Sequence, residues 1–299
     1  MALTGVLVPL VTPYAADGTV ALDALESLAH QVLDDGAAGV VALGTTAEPA
    51  SLTPEERSAV LDVVGRVAAE RRTTLVVGAS TSGDLAALRG RPEVTAALTL
   101  VPPFVRPGED GTVAHLAALA RLSPVPLVVY HVPCRTGQPL GARALRRLAL
   151  LDGVVGLKLS TAVDPAAVEL LGALPAGFDV LAGDDVVLAP MLALGASGGI
   201  LASAHLATGA FARLVGSWTR PGVPDLAGTR ALGARLARLS AACFAEPNPA
   251  VVKGALHAQG RLPTADVRLP LLPASTASVE RALSALDDVV AVSLVADPV

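Results

Sequence analysis

Short apolar runs recur along the chain, and most are followed by a turn and then an amphipathic stretch. The runs are Gly5–Leu10, Gly39–Leu43, Thr74–Gly78, Ala96–Leu100, Leu127–Tyr130, Val154–Leu159, Asp179–Ala182 and Gly199–Leu201. They are continuous and rich in Val and Leu rather than alternating, the pattern of parallel strands buried on both faces. Eight such strands with helices between them predict an α/β fold of the (β/α)8, or TIM, barrel type. A doubly wound sheet is the competing arrangement, but no strand is followed by Gly-x-Gly-x-x-Gly.

Helix starts are well marked. Thr53 followed by Pro54 and Glu56 reads as an N-cap, a first-turn proline and a capping box, and Asp164-Pro165 starts another helix in the same way. Between Ser80 and Glu93 only Asp84–Arg89 is free of breakers, so the third helix is expected to be short. After the eighth run, Leu226–Phe244, Asn248–Gln259 and Ser278–Leu286 read as helices joined by proline-rich segments. The expected organisation is a barrel over 1–224 with a C-terminal helical extension, 225–299, packed on it.

Composition narrows the classes. Hydrophobic residues are 52% and charged residues 16%, which supports a large core, and aromatics at 2% make that core aliphatic. A net charge of -5 without a basic cluster points away from nucleic acid. No run approaches the ~18 apolar residues of a membrane span, and the first residues lack a basic leader. Cys134 and Cys243 have neither metal nor disulfide spacing. The expectation is a cytoplasmic protein without a membrane partner.

Against this background Lys158 stands out. The chain has two lysines, and this one interrupts the apolar strand Val154–Leu159. A buried ammonium costs on the order of several kcal/mol unless it is paired or loses its proton. Unlike Arg, a Lys can lose it, and the neutral amine forms a Schiff base with a carbonyl. The alternative is a strand-end lysine that reaches water or pairs with a carboxylate. Strand alternation places Val154, Gly156 and Lys158 on one face, the barrel interior, with Gly156 leaving room beneath the lysine.

In a barrel the active site lies at the carboxyl ends of the strands. Three other segments end there. Gly44-Thr45-Thr46-Ala47-Glu48 offers two hydroxyls and turn N–H groups for a carboxylate or ketone oxygen, or is simply a threonine-rich turn. Tyr130 through Gly137 brings a phenol able to relay protons and Arg135, able to hold a carboxylate; a core-capping tyrosine and a solvated arginine are the plainer reading. In this segment Cys134 reads as a small filler, and His131 as either structural or functional. Gly183-Asp184-Asp185 follows the seventh strand, with helix capping the plainer role for its acids.

Taken together, Gly44–Glu48, Tyr130–Gly137, Gly156-Leu157-Lys158, Gly183-Asp184-Asp185 and Asn248-Pro249-Ala250-Val251-Val252-Lys253 resemble, in order and spacing, the dihydrodipicolinate synthase/N-acetylneuraminate lyase family of class I pyruvate-dependent aldolases. The resemblance spans nearly the whole chain. It implies a (β/α)8 barrel with a C-terminal helical extension, assembled as a homo-oligomer (tetramer or dimer), that needs no metal or organic cofactor. It implies that Lys158 forms the imine with pyruvate or another 2-oxo acid, that Tyr130 relays protons and that Thr45 orients it. Thr46 would hold the carboxylate of the 2-oxo acid, and Ile200 would line the pocket beside Gly183. Arg135 matches the arginine by which the synthase branch binds the carboxylate of aspartate semialdehyde. The chain departs from the family at Val101-Pro102-Pro103-Phe104-Val105-Arg106-Pro107, where a second relay tyrosine, presented across a subunit interface, is absent. Leu159 and Ala47 are further departures. The expected activity is therefore a Schiff-base lyase or aldolase like dihydrodipicolinate synthase. The alternatives are a related aldolase or dehydratase with a different acceptor, or a non-catalytic barrel that binds a 2-oxo acid.

Overall fold

The computed structural model describes residues 3–219 and 225–293. Eight strands run β1 Gly5–Pro9, β2 Gly39–Ala42, β3 Thr74–Gly78, β4 Ala96–Leu100, β5 Leu127–His131, β6 Val154–Leu159, β7 Asp179–Ala182 and β8 Gly198–Ile200. They close into a barrel in sequence order, every neighbouring pair parallel and β8 returning to β1. The helices are α1 Leu22–Asp34, α2 Pro54–Arg71, α3 Ser82–Ala86, α4 Gly108–Leu122, α5 Pro133–Thr136, α6 Ala142–Ala149, α7 Pro165–Leu171, α8 Leu188–Ala193, α9 Ala204–Thr219, α10 Leu226–Cys243, α11 Ala250–Ala258 and α12 Thr276–Ser293. The boundary expected after residue 224 lies outside the described residues.

The local signals act as expected. Thr53 caps α2 with a complete capping box to Glu56, and Asp164 caps α7 ahead of Pro165. The third helix is a single short turn, capped by Thr81. Successive residues of each strand face opposite sides. Leu7, Val41, Val76, Leu98, Val128, Leu181 and Ile200 fill the barrel, and their neighbours pack outward against the helices. Leu3 closes the bottom of this inner layer, its N–H donating to Asp179 Oδ2 at 2.7 Å.

Strand β6 departs from strict alternation. Its pairing with β5 steps from Leu127 opposite Val154 to Val128 opposite Gly156, so one residue of β6 is bulged. Val154 therefore packs with the outer core and Val155 turns inward, which corrects the expectation that Val154 shares the face of Lys158. Beyond the bulge Gly156 and Lys158 point inward as expected. The room at Gly156 serves Leu3 and β7: an added Cβ would stand 3.3 Å from Leu3 Cδ1 and 3.0 Å from the Asp179 carbonyl oxygen.

The extension is fastened to the barrel by long-range polar contacts. Thr264 Oγ1 donates to the Tyr14 carbonyl, Arg261 to the His205 carbonyl and Gln31, and Arg268 to Glu56 by two hydrogen bonds of 2.6 Å. On α11 itself, Lys253 bonds to Glu48 and so holds the helix beside the turn that follows β2.

Candidate active site

A cavity of about 340 Å³ opens at the carboxyl ends of the strands. Lys158, Tyr130, Thr45, Thr46, Arg135, Gly183 and Ile200 all line it, so every candidate side chain or backbone from the sequence meets in one place. The two central groups come from neighbouring strands in register, Tyr130 opposite Lys158. The lysine is 5% exposed and its Nζ lies 4.4 Å from the centre of the Tyr130 ring.

Gly183 shapes the space beside the amine. A Cβ there would stand 2.2 Å from Ser160 Oγ and 2.7 Å from Lys158 Cγ, so only glycine lets the lysine stem run past β7. Tyr130 is buried, which pushes its phenol up; the Lys158 charge, the hydroxyls of Ser160 and Thr45, and Arg135 outweigh that burial and draw it below its ordinary value. A phenol that yields its proton more readily, beside an amine, is suited to carrying protons.

Thr45 and Thr46 sit on a tight 3-10 turn, Thr45–Ala47, between two non-glycine residues in the left-handed region, Leu43 and Glu48, both with φ 54°. Such residues cost about 1 kcal/mol or more and persist where their surroundings hold them. The holding groups are visible. Thr12 Oγ1 donates to the Ala47 carbonyl at 2.7 Å, Asn248 Nδ2 to Thr46 Oγ1 at 3.0 Å, and the Glu48 carboxylate accepts from Lys253 Nζ at 2.9 Å and the Arg268 N–H at 2.8 Å. Lys253 is fully buried, with its ammonium 4.0 Å from the centre of the Tyr14 ring. Burial pulls its pKa down while Glu48 opposes the shift.

Sequence reasoning assigned no role to Glu48, Asn248 or Lys253. The signal was present: Lys253 is the second of two lysines and also interrupts an apolar run. Its partner, 205 residues away, was not legible.

The acids after β7 divide their roles. Asp184 caps the next turn through Val186 N–H, as expected. Asp185 is buried on the cavity wall and accepts from both the N–H and Oγ of Ser203, at 2.7 and 2.5 Å. Burial raises it to about 6, against those hydrogen bonds and the nearby Lys158 charge. His131 follows Tyr130 in β5 and so faces the opposite side, outside the barrel; burial, opposed by Asp164, lowers it to about 4. It is not placed to stand in for a second relay tyrosine. Cys134, read from the sequence as a small filler, is exposed and lines the cavity, so it does not fill a packed interior. Arg135, on α5, is exposed at the cavity rim. Among the described residues no group of three or more His, Cys, Asp or Glu is arranged to hold a metal ion.

Comparison with known proteins agrees with this geometry. The family model described as Dihydrodipicolinate synthetase family matches residues 2–288. A 4-hydroxy-tetrahydrodipicolinate synthase of Neisseria meningitidis serogroup C is 33% identical over 288 residues, covering 95% of this chain and 98% of that protein. One from Sorangium cellulosum is 36% identical over 292 residues, covering 95% of each. The crystal structure of a chloride-inhibited dihydrodipicolinate synthase from Acinetobacter baumannii complexed with pyruvate superposes with a TM-score of 0.89 at 32% identity, covering 96% of this chain and 99% of that one. With a buried lysine on β6, a phenol beside it and this match over nearly its full length, the chain belongs to the dihydrodipicolinate synthetase family and is one of its class I, Schiff-base-forming lyases.

Proposed function

We propose that this enzyme condenses pyruvate with an aldehyde that carries a carboxylate, aspartate semialdehyde first among the candidates, in the manner of 4-hydroxy-tetrahydrodipicolinate synthase. The observation that carries the reading is the pairing of Lys158 and Tyr130 in one cavity with Arg135 at its rim. The neutral Lys158 amine attacks C2 of pyruvate and forms a C–N bond, giving a carbinolamine. Tyr130 gives a proton to the departing hydroxyl, water leaves, and the imine forms. Tyr130, its proton spent, takes one from C3 to give the enamine. C3 then bonds to the aldehyde carbon while the aldehyde oxygen takes that proton from Tyr130, and water adds to the imine carbon to break the C–N bond and free Lys158. Thr45 orients the Tyr130 phenol, Thr46 donates to the pyruvate carboxylate, Ile200 and Gly183 bound the pyruvate end, and Arg135 holds the carboxylate of the acceptor.

The assembly in this reading is a homo-oligomer formed through the loop after β4. Phe104 is 92% and Val105 76% exposed there. A second cavity, of about 520 Å³ and lined by Leu43, Leu61, Leu88, Leu98 and Leu100, shares Thr45 and Tyr130 with the first. A neighbouring copy's Phe104 would enter it beside these leucines, supplying an apolar wall where the family places a relay phenol. The test is steady-state turnover of pyruvate against a panel of aldehydes. Turnover with aspartate semialdehyde, lost in Lys158→Ala and weakened mainly in KM for the aldehyde in Arg135→Leu, supports the reading. Turnover only with uncharged aldehydes, indifferent to Arg135→Leu, defeats it in favour of a related aldolase with a different acceptor.

A further inference from the structure

The bond from Asn248, just before the C-terminal extension's α11, to Thr46 joins two residues that both line the cavity, across 202 residues of sequence. We infer that Asn248 is a positioning residue of the 2-oxo acid site, which aims the Thr46 hydroxyl at the substrate carboxylate. This rests on the Schiff-base reading given above.

A threonine hydroxyl carries one proton and two lone pairs, and an amide NH2 only donates. Asn248 Nδ2, 3.0 Å from Thr46 Oγ1, therefore occupies a lone pair and turns the hydroxyl proton away from itself. Asn248 Oδ1, the one atom of this amide that could take the proton, is buried without a partner instead of facing the hydroxyl. Among the described residues no group accepts the Thr46 proton. Thr46 is 3% exposed and lines the cavity, so the open direction is the cavity itself.

The two residues are held in register by the contacts around them. Asn248 precedes α11, and α11 carries Lys253, which grips Glu48 two residues after Thr46. The Arg268 N–H holds the other Glu48 oxygen, and Thr12 holds the Ala47 carbonyl. The extension thus sets both the position of the turn and the direction of one hydroxyl on it. Had Asn248 been an acid, it would accept the Thr46 proton and turn it from the substrate.

The experiment measures the pyruvate concentration that gives half-maximal borohydride trapping on Lys158, read by intact mass. Asn248→Ala is expected to raise it about tenfold, the worth of one hydrogen bond to a charged group, with a smaller change in the extent of trapping at saturation. Asn248→Asp, nearly the same shape, raises it further at pH 8. Relative to the unaltered protein at each pH, that excess shrinks toward pH 5.5 as the new carboxyl, which burial raises above the ordinary carboxylate range, takes up its proton. In a Thr46→Val background, Asn248→Ala adds little, because the group through which it acts is gone. A half-saturation unchanged in Asn248→Ala, a pH-independent effect in Asn248→Asp, or full additivity with Thr46→Val each overturns the inference. Should Asn248→Ala fail to fold, the pH dependence of Asn248→Asp decides alone. Absence of any adduct in the unaltered protein defeats the Schiff-base reading instead, so the two failures are distinguishable.

Discussion

At the scale of single residues, the chemistry depends on what stands next to Lys158. Gly183 is the sharpest case, since any Cβ there collides with the lysine stem and Ser160. Gly183→Ala is expected to cut the rate of imine formation about 100-fold by displacing the amine, an effect of the size that small misplacements produce. Single-turnover trapping checks it, and an unchanged rate would mean the stem can move aside. Tyr130→Phe keeps the ring that faces Nζ and removes the proton carrier. Turnover should fall by about 100-fold to 10,000-fold with little change in pyruvate binding, read from kcat and KM. Lys158 and Tyr130 were legible as candidates in the sequence because each is rare in this chain and sits near the carboxyl end of an apolar strand. Asn248 and Ser160 carry no such mark; only the fold shows that one meets Thr46 and the other stands beside Tyr130 and Gly183.

At the scale of elements, strand and helix positions follow closely from the apolar runs and caps, since each is a local signal. What failed was local in another way: the bulge in β6 moves Val154 outward, and alternation in sequence cannot show where a pairing slips. The fastening of the extension was not legible either, because its ion pairs join residues more than 200 positions apart and its other contacts are to backbone and amide groups that leave no mark in the sequence. Lys253 and Glu48 are both buried, at 0% and 2% side-chain exposure. Lys253→Met alone leaves a buried carboxylate without its partner and should cost about 3–5 kcal/mol, whereas Lys253→Met combined with Glu48→Gln removes both charges and should recover much of that loss. Urea denaturation of the two variants checks this. A double variant as unstable as the sum of its singles would show that the pair does not act as a unit.

At the scale of the whole molecule, three buried titratable groups set a pH dependence. His131 and His205 are both lowered by burial to about 4, so each binds its proton less well folded than unfolded. In His205 the Val11 N–H donates to Nε2 at 3.3 Å and Nδ1 lies 2.8 Å from the Ala202 carbonyl, which fits a neutral ring protonated at Nδ1. Their contributions are present above the ordinary histidine value of about 6.5 and are lost as pH falls through 4, about 3 kcal/mol each. Asp185, raised to about 6, acts in the opposite sense: its penalty is relieved as pH falls below 6, by about 3 kcal/mol. The expected net result is a Tm that falls between pH 6.5 and 4, and a shallower fall in His131→Asn. A Tm that stays flat or rises over that range would show that these groups are more open to water than their burial implies.

The central claim is that Lys158 is the nucleophile. Its most direct test is borohydride reduction in the presence of pyruvate, followed by intact mass and peptide mapping. A single stable adduct is expected on the peptide containing Lys158, absent in Lys158→Ala. An adduct mapped to Lys253 would contradict the account by placing the imine elsewhere, and no adduct with pyruvate or other 2-oxo acids on the folded protein would contradict it in favour of a barrel that binds without forming the imine.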